Sequence, residues 1–197
     1  MPFETILSIR SSERTITPGG LHKTTMELFP HNLPDGNPRQ AAGILFRRED
    51  RHVLVRSVIP PCKPARLARI ESLNPVQLPT LRGTVRLSVR LACEENTDRA
   101  PGFLPENSRT ARDTLPIPRN RRKTWALEKM SRNGFLFLEQ PVATMGEEPF
   151  GDGRPPIPWI ELHGEALVVD NTRALMAWEQ GVGRGKSYGY GLIVIGV

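Results

Sequence analysis

The run Thr84 to Ala92, TVRLSVRLA, alternates without a break, and it constrains the fold more than any other segment. Val85, Leu87, Val89 and Leu91 fall on one side, and Arg86, Ser88 and Arg90 on the other. Side chains alternate across a strand with period two, so this segment is a strand with an apolar face and a polar one. The surrounding chain must supply its sheet partners and a helical cover. Read outward from it, the same order of elements occurs twice.

In the first half, Phe3, Ile6, Leu7 and Ile9 mix with polar residues as an N-terminal strand would. Thr17-Pro18-Gly19-Gly20 is turn chemistry leading into a helix in which Leu21, Thr25 and Leu28 share a face, ended by Pro30. Residues 43–46 and 52–58 are β-like, with 47–51 as a charged hairpin turn. Residues 65–70 suit a brief helix, and 76–78 a weak strand. The second half starts near Arg82. It has the strand 84–92, a helix in RRKTWALEKM, a short strand over 135–138, and a Pro- and Gly-rich loop over 140–158. A strand over 159–169 follows, then a helix over 172–180 with Asp170 at its N-cap, and an apolar strand over 191–197. Each half reads β-α-β-β-α-β, which predicts an α+β protein of two tandem ferredoxin-like domains, 1–81 and 82–197.

A chain of 197 residues can bury its core without disulfide staples. Cys62 and Cys93 are far apart and form no CxxC pair, so they read as reduced thiols. The opening MPFETILSIR lacks the pattern of a signal peptide, and no apolar stretch reaches membrane-spanning length. The expectation is a cytoplasmic protein that does not engage a membrane. Charge is uneven. Residues 109–132 hold eight basic residues against two acidic ones, an excess of six that equals the net charge of the whole chain, +6. A basic stripe on an otherwise balanced protein is the footprint of a polyanion ligand.

The glycine-rich run GVGRGKSYGYG carries five glycines in eleven residues, from Gly181 to Gly191. Such a run lets backbone N–H groups approach an anion closely. Its Gly-Lys-Ser does not make a nucleotide P-loop: that motif needs glycine at position 180, where Gln180 stands, and needs a strand before it rather than a helix. A structural tight turn and a phosphate cradle built on Arg184 and Lys186 both remain open. Of the four histidines, none pairs at metal-ligand spacing. His52 and His163 lie in expected strands and His31 in a loop. His22 differs, standing at the start of a helix behind a glycine pair and ahead of Lys23.

These same residues carry a resemblance. VVDNTRALMAWEQGVGRGKSYGYGLIVIG resembles the C-terminal signature of the repeat-associated RNA-processing proteins of CRISPR systems. Its GVGxGKxxGxGL form is similar to the CasE subgroup, the guide-RNA maturation nucleases of type I-E systems. GGLHKTTMELFP, GILFRREDRHVLVRS, LSVRLACEE and PIPRNRRKTWALEKM follow the family's order, so the resemblance spans essentially the whole chain.

The resemblance implies two tandem ferredoxin-like halves that bind the stem-loop of a CRISPR repeat in precursor RNA and cut at its 3′ base. It also implies that the protein stays on the mature guide RNA as a subunit of a surveillance complex, with no metal and no cofactor. The family's catalytic histidine falls on His22, and its RNA-tracking basic helix on Arg119, Arg121, Arg122, Lys123, Lys129 and Arg132. Gly181, Gly183, Arg184, Gly185, Lys186, Ser187 and Tyr188 would cradle the phosphates. Where the family often carries a tyrosine three residues before the histidine, this chain has Gly19, so the second catalytic group is unassigned. Cleavage of this kind is attack of a ribose 2′-oxygen on the adjacent phosphorus. Imidazole suits either proton transfer, as acid or base, and Lys23 or Lys186 could steady the phosphorane. The alternative is an RNA-binding subunit of the same complex that does not cut. A metabolite enzyme has no supporting site.

Overall fold

In a computed structural model of the chain, residues 1–9, 16–30, 33, 38–50, 52–96, 114–150 and 154–196 are described. The first half runs β1 (Phe3–Ile9), α1 (Pro18–Glu27), α2 (Pro38–Ala41), β2 (Leu45–Glu49), β3 (His52–Ser57) and β4 (Ala68–Pro75). The second runs β5 (Thr84–Ala92), β6 (Glu94–Asn96), β7 (Thr114–Pro116), α3 (Arg122–Arg132), β8 (Phe135–Phe137), β9 (Val142–Glu148), β10 (Ile157–Val168), α4 (Asn171–Gln180) and β11 (Ile193–Ile195).

The first sheet has the order β2-β3-β1-β4 and the second β11-β5-β10-β8, every neighbour antiparallel. Both are the ferredoxin-like order, with the first and third strands of each unit at the centre, and the expected α+β class holds. Each sheet has its own core. Leu7, Leu21, Leu28, Phe29, Phe46, Val53 and Val55 fill the first. Leu87, Val89, Leu91, Met130, Phe135, Leu162 and Trp178 belong to the second, which also takes in Leu81 from the connection. The apolar side chains of β5 read from the sequence are thus core, with Leu87, Val89 and Leu91 at most 1 % exposed.

Four local expectations are corrected. There is no helix at 65–70: the chain there enters β4, paired with β1 from Ile9↔Ala68 to Phe3↔Pro75, and this strand also replaces the weak strand expected at 76–78. Ala, Arg and Leu favour a helix, yet pairing with a central strand outweighs that preference. The N–H groups of Cys62 and Lys63 instead satisfy the carbonyl of Leu28 at the end of α1, at 2.9 and 3.2 Å. The loop at 140–158 contains β9, which pairs with β10 from Val142↔His163 to Ile157↔Glu148. Prolines and glycines at its flanks hide a strand of seven residues. The turn at 47–51 is shorter than expected, because β2 continues through Arg47 and Arg48. Finally, Thr17-Pro18-Gly19-Gly20 is the helix start itself. Thr17 is the N-cap, its hydroxyl accepting from the Gly20 N–H at 3.2 Å, and Pro18 opens α1. His22 therefore sits in the second turn of the helix.

Cys93 is buried and its thiol is pushed up to about 12, chiefly by desolvation, so it stays protonated, while Cys62 is exposed. His52 and His163 are both exposed, His52 facing Glu71 at 3.2 Å. His31 lies outside the described residues. No helix among those described is long and apolar enough to cross a membrane.

The two halves meet through charged side chains. Arg47 of β2 donates to the Ser88 hydroxyl at 2.9 Å and approaches Glu161 at 3.4 Å. Arg90 holds Glu161 from across the sheet at 2.9 and 2.7 Å and covers the Trp159 ring at 4.8 Å. Burial pushes the Glu161 carboxyl up, but Arg90 and Arg47 outweigh it and hold it below the usual range.

Candidate functional site

Helix α1 packs its second turn against the glycine-rich turn of the other half. The His22 ring is stacked with Phe46 of β2 and edge-on to Tyr188, both with centroids 6.5 Å away. Phe150 meets the other side of Tyr188 edge-on at 4.7 Å. His22 is half-buried, and its Nδ1 is buried without a hydrogen-bond partner. Desolvation first, and the Arg39 charge second, hold its pKa below the ordinary 6.5. The neutral form of the ring is therefore favoured at pH 7.

Arg39 is the cation that acts on this ring, and it belongs to a group of three. Arg39 comes from α2, Lys186 from the 3₁₀ turn Lys186–Tyr188, and Lys129 from α3. Burial lowers the Lys186 pKa, and Arg39 and Lys129 lower it further, which places all three within electrostatic reach. Among the described residues no carboxylate pairs with any of them. Like charges gathered without a counterion cost stability unless an anion joins them. Lys129 also lies over the Trp125 ring at 5.8 Å, and its Cε would stand 3.9 Å from a Cβ on Gly183. Helix α3 and the glycine turn are thus in contact beside His22.

The glycines divide into two kinds. Gly181 is buried, its N–H is committed to Ala177 at 2.9 Å, and a Cβ there would stand 2.9 Å from Leu45 of the other half. It closes α4 and lets the halves touch, so the phosphate-cradling role expected of it does not hold. Gly183 and Gly185 have N–H groups with no backbone partner among the described residues. Gly191 has φ +85, and an added Cβ would stand 2.3 Å from the Val182 carbonyl oxygen. Gly191→Ala is expected to destabilise the fold by about 1–3 kcal/mol, read as a lower midpoint of thermal unfolding.

Along α3, Arg122, Ala126 and Met130 form the buried face. Arg122 is a correction to the expected RNA-facing row. It is 5 % exposed and donates to the Ile117 carbonyl at 3.1 Å and to Glu147 at 3.1 Å, because its position in the helix turns it inward. Arg119, Arg121 and Arg132 are exposed, and Lys123 and Lys129 half-exposed. Arg119, Arg121 and Lys123 crowd the N-terminal end of α3, where the helix dipole is already positive, which strengthens the pull on an anion. Arg109 and Arg112 lie outside the described residues. Lys23 is exposed and is not among the cations beside His22, since adjacent helical residues point about 100° apart.

A cleft of about 1050 Å³ opens between the halves, lined by Arg39, Gly183, Arg184, Lys186, Ser187 and Tyr188 among others. His22 is not among the residues that line it, but Arg39 and Tyr188, its neighbours, are. Arg39 and Phe46 are the site residues that the sequence did not reveal. Arg39 sits on a single helical turn, and Phe46 is one of several core aromatics, so neither carries a local signal. Among the described residues no group of three His, Cys, Asp or Glu side chains is arranged to hold a metal ion.

A family model described as CRISPR associated protein matches residues 6–196. No curated protein sequence matches the chain. Among solved structures it is similar to a CRISPR endoribonuclease Cse3 bound to a 19-nucleotide RNA, with TM-score 0.76 and 20 % identity over 100 % of this chain and 99 % of that one. It is similar to Cas6e from Escherichia coli K-12, with TM-score 0.69 and 20 % identity over 98 % of each chain. A chain of a CRISPR RNA-guided surveillance complex aligns with TM-score 0.64 and 23 % identity over 99 % of each.

Proposed function

The chain belongs to the CRISPR-associated protein family, and from that premise we propose that it is an endoribonuclease of the CasE type. It binds the stem-loop of a CRISPR repeat in precursor RNA and cleaves at the 3′ base of the stem. It then stays on the mature guide RNA as a subunit of a surveillance complex. The observation that carries this reading is the neutral His22 ring beside Arg39, itself one of three clustered cations with no carboxylate partner among the described residues.

His22 takes the proton of the ribose 2′-hydroxyl. The 2′-oxygen then bonds to the adjacent phosphorus, the bond to the 5′-oxygen breaks, and a proton returns to that oxygen. The products are a 2′,3′-cyclic phosphate and a 5′-hydroxyl. A phosphorane carries added negative charge, which Arg39 and Lys186 balance, with the N–H groups of Gly183 and Gly185 from the same glycine-rich turn. Arg119, Arg121, Lys123, Lys129 and Arg132 track the RNA backbone, and the A-form stem is recognised mainly by shape. A metal ion has no part in these steps: a divalent cation would face like charge here.

End-group analysis of a cleaved repeat hairpin tests the reading. Cleavage is expected to survive EDTA and to stop when the nucleotide upstream of the scissile phosphate is 2′-deoxy, while the deoxy hairpin still binds. Abolition by EDTA would refute the mechanism. The second reading, a subunit that binds without cutting, draws on Gly19, where a built Cβ meets nothing within 4 Å and no hydroxyl is offered. An intact hairpin after prolonged incubation would establish it.

A further inference from the structure

We propose that Arg39 is a further catalytic residue, its guanidinium gripping a non-bridging oxygen of the scissile phosphate beside His22. The inference rests on the nuclease reading and adds to it a group that no sequence motif marks. A guanidinium is a rigid planar fork of donors with no acceptor. Its Nη1 donates to the Ile44 carbonyl at 2.9 Å, which fixes the plane, and its Nε is buried without a partner. The four unpartnered buried side-chain atoms among the described residues are the hydroxyls of Thr5 and Thr25, His22 Nδ1 and Arg39 Nε. The last two belong to residues within electrostatic reach of each other, so two of the four fall in one site.

Arg39 also joins the two parts of the site. It lines the cleft between the halves with Lys186 and Tyr188, while His22 does not. It is close enough to His22 to oppose its protonation, and to Lys186 to do the same there. A planar fork fits the equatorial oxygens of a phosphorane better than a point charge does. Arg39 exchanges no proton and forms no covalent bond in this role, so the atom balance of the cleavage step is unchanged.

The test is single-turnover cleavage of a repeat hairpin by the wild type, Arg39→Ala and Arg39→Lys, with binding of the 2′-deoxy hairpin measured in parallel. Arg39→Ala is expected to slow cleavage about 10²–10³-fold, the loss typical of one preorganised donor to a developing oxyanion. Deoxy-hairpin affinity should change little, Arg39→Lys should recover only a small part, and added guanidinium ion should restore part of the rate to Arg39→Ala. The rate difference between the two phosphorothioate diastereomers at the cut should also shrink. The acidic limb of the pH profile should rise, because the groups facing His22 would then be Phe46 from β2 and Tyr188 and Lys186 from the turn, with Lys129 beyond, and no longer Arg39. A cleavage rate near wild type, or a loss matched by lost hairpin binding with no guanidinium rescue, overturns the proposal. A wild-type protein that never cuts overturns this proposal and the nuclease reading together, whereas the outcomes just named leave that reading intact.

Discussion

Replacing His22 with alanine is expected to slow cleavage of a repeat hairpin by about 10²–10⁴-fold, the span typical of a general acid or base, with binding nearly unchanged. The ring makes no hydrogen bond through Nδ1 that folding would miss, and it is half-buried rather than core. It touches Phe46 and Tyr188 edge and face only. Loss of activity with intact affinity therefore isolates a chemical role. The pH profile then separates base from acid. Desolvation and Arg39 hold the folded pKa below 6.5, so the neutral ring persists further into acid than a free imidazole would. A base acts in its neutral form, so kcat/KM should hold at neutral pH and fall as pH drops through that lowered pKa. An acid acts in its protonated form and would instead lose activity as pH rises through the same value. An acidic limb well above 6.5, or none that vanishes with the variant, would remove His22 from the base role.

The second large effect concerns the seam. Arg56 is 3 % exposed, donates through Nη1 to the carbonyls of Trp178 and Ile193 at 3.0 and 3.1 Å, and lies over the Trp178 ring at 3.8 Å. Its other nitrogens hold Glu4 of β1. One side chain of the first sheet thus fixes the end of α4 and the edge strand β11 of the second. Arg56→Ala strands two carbonyls and leaves Glu4 without its cation. Breaking a buried pair costs about 3–5 kcal/mol, and the lower end applies because Glu4 is partly solvated. At about 2–4 °C per kcal/mol for a chain of this size, the unfolding midpoint should fall by roughly 6–12 °C. Arg56→Lys should recover little, since an ammonium cannot span three partners at once. A midpoint within about 2 °C of wild type would mean the halves are held by something else. The glycine turn carries the cleft wall, so the same variant should cut more slowly even when folded.

Much of this protein can be read from local pattern. The strand at 84–92, the Asp170-capped helix and the helix of the basic stripe occur where periodicity and capping put them, and the helix bearing His22 differs only in starting one turn earlier. Each is specified by residues a few positions apart, so a window of sequence is enough. Errors cluster where partners are remote. β4 and β9 are strands because β1 and β10 offer free edges, which their own helix-forming or loop-like residues do not announce.

The alternation in β5 draws the line between the two sources of information. Period two by itself established that one face is apolar and the other polar, and hence that a sheet must form. It could not say what covers the polar face. Only the folded chain decides that Ser88 lies 2 % exposed beneath Arg47, and that Arg90 is sandwiched between Glu161 and Trp159. The same is true of Arg122, turned inward, and of Arg39, brought to His22 from another helix. Long charged side chains reach well beyond their own segment, so their targets are set by the packing of whole sheets and not by neighbours in sequence.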